Sequence, residues 1–177
     1  MILEMLQKNF LMDSIIMKKK LTHFDENDNV NMVDVSHKNS SKRSATARAT
    51  VLLNKETLSR IIENNIKKGN VVSLAQFAGI MGAKKTAELI PLCHPLNLNS
   101  INIEIKHDIN NCSIDILAHA TIDAKTGVEM EVLTGVSIAA LTIYDMCKSI
   151  DREIKITDIK LIEKKGGKSG NYKIEND

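Results

Sequence analysis

The chain has 177 residues, 43% hydrophobic but only 3% aromatic, with 24 Lys and Arg against 22 Asp and Glu. That length suits one domain built on an aliphatic core, and a net charge of +2 with isolated aromatics argues against nucleic-acid binding. Three cysteines, an odd count with no Cys-x-x-Cys, argue against a disulfide framework or a zinc finger and fit a reducing cytoplasm.

The first twenty residues, "MILEMLQKNFLMDSIIMKKK", fail as a secretory signal, because Glu4, Lys8 and Asp13 interrupt the apolar run and the lysines come last. They are too polar to span a membrane. They read as an N-terminal extension (1–20), with Met17 as a second candidate start, and the domain proper covers 21–177. Residues 22–44 are a polar, turn-rich arm holding one short strand, "NMVDV". Residues 45–53 form a strand. A helix over 54–68 is capped by Asn54, carries the stripe Leu58, Ile61, Ile62 and Ile66, and stops at Gly69. A second helix over 71–89 places Leu74, Phe77, Ala78, Met81 and Leu89 mostly on one face. Two strands follow: in "NSINIEIKH" Ile101, Ile103 and Ile105 alternate, and in "CSIDILAHATI" Ile114, Ile116, Ala118, Ala120 and Ile122 alternate, with "DINN" as the connection. Residues 128–150 make the longest helix, and "EIKITDIKLIEK" a last strand before a glycine–lysine tail. Strand, helices, two strands, helix and strand predict an α+β fold of the ferredoxin-like split βαβ kind, an antiparallel sheet with helices on one face.

Several residues could do chemistry. Both prolines, Pro91 and Pro95, bracket Cys93 and His94 in "LIPLCHPL", so this backbone is stiff and non-helical. Neighbours on extended backbone point to opposite sides, which disfavours a shared metal ion and leaves His94 as a proton-transfer group or substrate contact. In "YDMCK", Asp145 and Lys148 share a helix face. Such a pair is ordinarily a solvated ion bridge, but apolar neighbours here bring pKa shifts and acid–base roles into range. Glu129 and Glu131 near a helix start are explained by the helix dipole, or orient a substrate or metal. Lys67, Lys68, Lys84 and Lys85 are surface cations by default. "EKKGGKSGNYK" fails as a Walker loop, because Ile162 stands where the first glycine belongs; a flexible tail or a looser phosphate-binding tail remains.

Taken in order, "LTHFDENDNVNMVDVS", "KKGNV", "AGIMGAKKTAELIPLCHPL", "TGVEMEVLTGVSIAALTIYDMCK" and "KLIEKKGGKSG" resemble the cyclic pyranopterin monophosphate synthase family of molybdenum cofactor biosynthesis, from about Leu21 to the C-terminus. The resemblance implies an enzyme that takes a cyclic dihydroguanosine triphosphate from an upstream radical enzyme and releases pyrophosphate. It implies a homohexamer, a trimer of dimers, with sites at subunit interfaces, no nucleic-acid or membrane partner, no resident cofactor, and room for a divalent cation such as magnesium. Carried over residue by residue, it makes Asp145 and Lys148 catalytic, with Lys68 and His94 beside them. It makes Leu92, Cys93, His94, Met130 and Glu131 substrate-binding, and adds Glu129, Lys84, Arg43 and Lys164. A silent nucleotide- or pterin-binding module and a purely structural subunit are the other readings; the intact Asp145, Lys148, His94 and Lys68 favour the enzyme. Gly82 and Gly135 stand where the family often has alanine, which predicts two looser helices. With Ala139 and Ala140 they also read as contacts between subunits.

Overall fold

A computed structural model describes His23, Asn27 and residues 29–175; the extension read over residues 1–20 lies outside them. The chain divides into two units, Met1–Val33 and Asp34–Asp177. In the first, the described residues show an isolated bridge at Val30, and the strand expected over "NMVDV" does not form. The second unit carries the elements β1 (Ser41–Leu52), α1 (Lys55–Ile62), α2 (Val71–Lys84), α3 (Thr86–Leu89), β2 (Ser100–Asp108), β3 (Ser113–Ala124), α4 (Glu129–Cys147), β4 (Lys155–Lys165) and β5 (Tyr172–Lys173).

The strands form one antiparallel sheet in the order β2-β3-β1-β4-β5, and the fold is α+β. Period-two alternation sets its register. Ala45, Ala47, Ala49 and Val51 of β1 lie opposite Ala120, Ala118, Ile116 and Ile114 of β3. Those last three face Ile103, Ile105 and His107 of β2 in turn. This apolar face is covered by α4, packed over β1, β3 and β4, and by α2, packed over β2. The other face is polar. Asp115 Oδ1 accepts from Arg48 Nη2 at 2.9 Å and Thr50 Oγ1 at 2.8 Å, and Thr46 pairs with His119 at 3.0 Å. By length and composition α4 could cross a membrane, but 56% of its apolar window is buried inside the fold, so it is a core helix.

Two expected helices differ from the structure in three ways. The helix from Asn54 ends at Ile62, not 68, because Asn64 turns left-handed at φ 54°, a conformation asparagine tolerates. The span 71–89 breaks at Lys85 into α2 and α3. The third difference is rotational. On α2 the buried residues are Val71, Ala75, Gly79, Gly82 and Ala83, while Leu74, Phe77, Met81 and Leu89 point to solvent. The bulky stripe is the outer face and the small residues face α4. A Cβ on Gly79 would stand 3.0 Å from Gly135 O, and one on Gly82 2.7 Å from Ile138 Cγ1. Gly82 and Gly135 therefore tighten the α2–α4 crossing rather than loosen it. Ala139 meets Gly79 there and Ala140 is fully buried, so none of these small residues is left for contacts between subunits.

The tail is ordered rather than flexible. β5 pairs Tyr172 with Lys164, and Ile174 N–H donates to Ile162 O at 2.9 Å. The turn between β4 and β5 needs its glycines: Gly166 and Gly167 sit at φ 86° and 80°, and a Cβ on Gly167 would meet Arg43 Nη1 at 2.1 Å.

The crossing makes opposite predictions for two glycine substitutions. Gly82→Ala should lower the free energy of unfolding by about 1–3 kcal/mol, an overpacking cost. Gly135→Ala, whose Cβ would meet nothing closer than 3.4 Å, should be neutral or stabilising by up to about 1 kcal/mol through helix propensity. Chemical denaturation of both variants checks this, and equal effects would contradict the packing described.

Candidate active site

Two clusters bring together half of the site residues singled out from the sequence, Lys68, Asp145 and Lys148 in one and Arg43, Glu129 and Lys164 in the other, at opposite ends of α4. At the C-terminal end, Lys68 enters from the loop after α1. Its Nζ donates to the Asp145 backbone carbonyl at 2.6 Å and approaches Asp145 Oδ2 at 3.4 Å. Lys148 Nζ lies 2.8 Å from Asp145 Oδ1, one helical turn on. One carboxylate thus holds two ammonium groups, one brought from a distant part of the sequence.

All three side chains are solvent-exposed, so the apolar neighbours do not bury the pair. Their pKa shifts come from each other. The Lys148 hydrogen bond and charge, then Lys68, hold the Asp145 carboxyl below its usual range, and Asp145 holds the Lys148 ammonium above its own. Both shifts favour the charged forms, so at neutral pH Lys148 stands here as a cation paired with a carboxylate.

The N-terminal end is different. Arg43, Glu129 and Lys164 line a cavity of about 860 Å3 with Lys38, Lys125, Lys168 and Ser169. The volume is that of a small-molecule site. Arg43 is fixed at its base, donating from Nε to Ala124 O at 3.0 Å and from Nη2 to Lys125 O at 3.2 Å. Lys164 hydrogen-bonds Ser169 Oγ and lies 3.7 Å from Glu129 Oε1. Five cations against one carboxylate make a site for a polyanion, and the turn 166–171 closes one side of it.

Glu131, two residues on from Glu129 in the first turn of α4, is 4% exposed. Burial, with the Glu129 charge adding to it, pushes its carboxyl up to about 7. Cys93 is close by: burial and then the Glu131 charge raise its thiol, so it is a poor nucleophile. Its N–H closes a turn to Ile90 O at 3.1 Å with Pro91 inside, the stiff backbone expected from the prolines. Leu92 and His94 flank it, both half-buried. Met130 is exposed on the first turn of α4. Lys84, in the last turn of α2, lines neither the cavity nor the lysine–aspartate cluster. Cys147, under the C-terminal cluster, is pushed up to about 11 by burial and then by Asp151, with Lys68 opposing; it is inert packing.

Lys38, Lys125, Lys168 and Ser169 went unread in the sequence as site residues. The lysine–glycine tail "KKGGKSG" carried a signal for two of them. Lys38 lies in the polar arm and Lys125 follows β3, where isolated lysines are unremarkable.

Comparison with known proteins bears on the same residues. The MoaC family model matches residues 32–167. The chain is 58% identical over 149 residues, 84% of this chain and 95% of the relative, to a cyclic pyranopterin monophosphate synthase of Syntrophomonas wolfei subsp. wolfei. It is 50% identical over 152 residues, 86% of this chain and 96% of the relative, to the protein of that name from Heliobacterium modesticaldum. For the one from Listeria welshimeri serovar 6b, the figures are 51% over 158 residues, 89% and 98%. The matched region contains Lys38, Arg43, Lys68, Cys93, His94, Glu129, Glu131, Asp145, Lys148 and Lys164, and on that match the chain belongs to the MoaC family.

Proposed function

We propose that this chain is a cyclic pyranopterin monophosphate synthase. It converts (8S)-3',8-cyclo-7,8-dihydroguanosine 5'-triphosphate, a nucleotide-derived small molecule, to cyclic pyranopterin monophosphate, and pyrophosphate leaves. The identity of the relatives across most of the chain supports this activity. The observation that carries the mechanism is the meeting of Lys68 and Lys148 on Asp145. In this reading the phosphates seat among Lys38, Arg43, Lys125, Lys164 and Lys168, whose charge stabilises the departing pyrophosphate. Lys148, held protonated by Asp145, donates a proton to the rearranging ring. Cys93 and His94, on their proline-braced turn, hold the purine-derived part within proton-transfer reach. No resident cofactor enters; a divalent cation such as magnesium would come with the phosphates. Three free cysteines support a cytoplasmic setting.

The β-α-β-β-α-β order, with β1 between β3 and β4, supports a ferredoxin-like subunit, and we place it in a homohexamer, a trimer of dimers. Glu129 and Asp145 are sixteen residues apart on α4, roughly 24 Å at the rise of an α-helix, too far for one small substrate. A second copy solves this. Pairing α4 antiparallel across a two-fold axis near Ile138 sets the first turn of one helix beside the last turn of its mate. The outward apolar residues Leu74, Phe77, Met81 and Leu141 flank that axis and supply what such an interface needs. The reaction is tested by incubating purified protein with the cyclic nucleotide and measuring pyrophosphate.

Asp145→Asn and Lys148→Ala should each lower turnover at least ~10²-fold in folded protein, the scale of a lost general acid. The double variant should be little worse than either, because groups acting as a unit are non-additive. Lys164→Ala should weaken turnover from the other end of the helix. Mixed hexamers of Asp145→Asn and Lys164→Ala subunits should regain activity, since some sites then draw both intact ends; strict absence of complementation would refute a shared site.

Glu131 predicts a pH signature. Its carboxyl rises from 4.5 to about 7 on folding, so its contribution to stability is fully present below pH 4.5 and is lost as pH climbs through 7. Glu131→Gln should remove that loss, gaining on the order of 3 kcal/mol relative to wild type between pH 4.5 and 8. Unfolding midpoints of both proteins at the two pH values check it, and a pH-independent difference would contradict the burial argument.

A further inference from the structure

One buried acid at the end of α4 has no part in the reading above. Asp151 is 4% exposed. Its N–H donates to Cys147 O at 3.0 Å, so it belongs to the terminal turn that presents Asp145 and Lys148. Its carboxylate meets two backbone donors. Oδ2 accepts from Asn54 N–H at 2.9 Å, across 97 residues of sequence, and Oδ1 accepts from Glu153 N–H at 3.1 Å. Asn54 is the N-cap of α1 and accepts from Thr57 N–H at 2.8 Å. That helix is eight residues long, too short to be stable alone, and its placement depends on what anchors it. It runs into the loop that delivers Lys68. This segment therefore meets the end of α4 twice, at Asp151 where α1 begins and at Asp145 where Lys68 arrives.

We propose that Asp151 is a positioning residue for the reaction: by binding the start of α1 to the last turn of α4 it fixes the backbone from which Lys68 reaches Asp145. A carboxylate is acceptor-only, which suits two N–H donors, and charge-assisted hydrogen bonds are the stronger kind. A lysine is long and flexible, so a useful Nζ position requires a fixed Cα. The inference rests on Lys68, Asp145 and Lys148 being the reacting cluster.

The test uses the full assembled chain. Asp151→Asn keeps the shape but turns an NH2 toward one of the two donors. Its kcat should fall about tenfold or more with KM changed less than threefold. Lys68, read by amine acetylation and peptide mass spectrometry against Lys106 on β2, should become several-fold more reactive. A second pair isolates the same bond. Asn54→Pro removes the N–H at a φ of −75° that proline accepts, while Asn54→Ala loses only the side-chain cap. The proline variant should show the same fall in kcat and the same unmasking of Lys68, and the alanine variant neither. If Asp151→Asn does not assemble, the Asn54 pair decides by these readouts. A kcat within twofold of wild type, or a lowered kcat with Lys68 reactivity unchanged, would overturn the proposal. Full turnover in Lys68→Ala would instead overturn the reading of the cluster, and the acetylation ratio would still measure the anchor.

Discussion

The close crossing of α2 and α4 is the constraint on which the rest depends. Gly79 and Gly82 let α2 approach α4 until an added Cβ would press on Gly135 O or collide with Ile138. With α2 pressed against α4 by its small face, its large apolar residues have nowhere to go but outward. With α4 pinned between α2 and the sheet, its two ends are fixed points, and each end carries one of the two charged clusters. A looser crossing with Leu74 and Phe77 turned inward would bury more apolar surface within one chain and would leave no greasy outer face for a second copy.

The two ends are built by different electrostatic means. At the C-terminal end the groups are exposed and regulate each other: Asp145 is held ionised by two lysines, and Lys148 is held protonated by Asp145. Exposed pairs of this kind contribute little to stability, which suits a cluster that must exchange partners with a substrate. At the N-terminal end burial dominates. Glu131 is driven toward its neutral form by desolvation, so it can sit beside Glu129 near a polyanion site without adding a full second negative charge. Cations line that cavity, and a buried acid lies two residues from its one lining carboxylate.

Much of this was legible in the sequence, and the failures have physical causes. Strict alternation gave β2 and β3 nearly to the residue, because each buries one face and a slip by one would invert it. The Asn54 cap and the proline-braced Cys93 turn were readable as local chemistry. The inward face of α2 was not. Periodicity finds a stripe of large apolar residues, but it does not tell whether that stripe meets the chain's own core or another molecule, and here small residues took the inner role. The C-terminal glycines were read as a flexible tail because isolated glycines carry no pattern; their need appears only when Arg43, from the far end of the chain, is found where a Cβ would stand. Among site residues, Asp145 and Lys148 were visible as neighbours on one helical turn, whereas Lys68 joins them through three-dimensional packing alone. Asp151 gave no sequence signal, since a single acid after a helix is common and its partner Asn54 is 97 residues away.

The separation of the two clusters is the reason the proposed site is drawn between subunits rather than within one. A sequence records which residues a reaction needs and is silent on whether they meet within a chain or between chains. A helix with reactive groups at both ends cannot bend to bring them together, but two such helices running antiparallel do so twice, once at each end of the pair. In the dimer we propose, two-fold symmetry would make two complete sites from two incomplete ones. The same glycine crossing that turns the large apolar residues of α2 outward thus supplies the apolar face on which the proposed divided site depends.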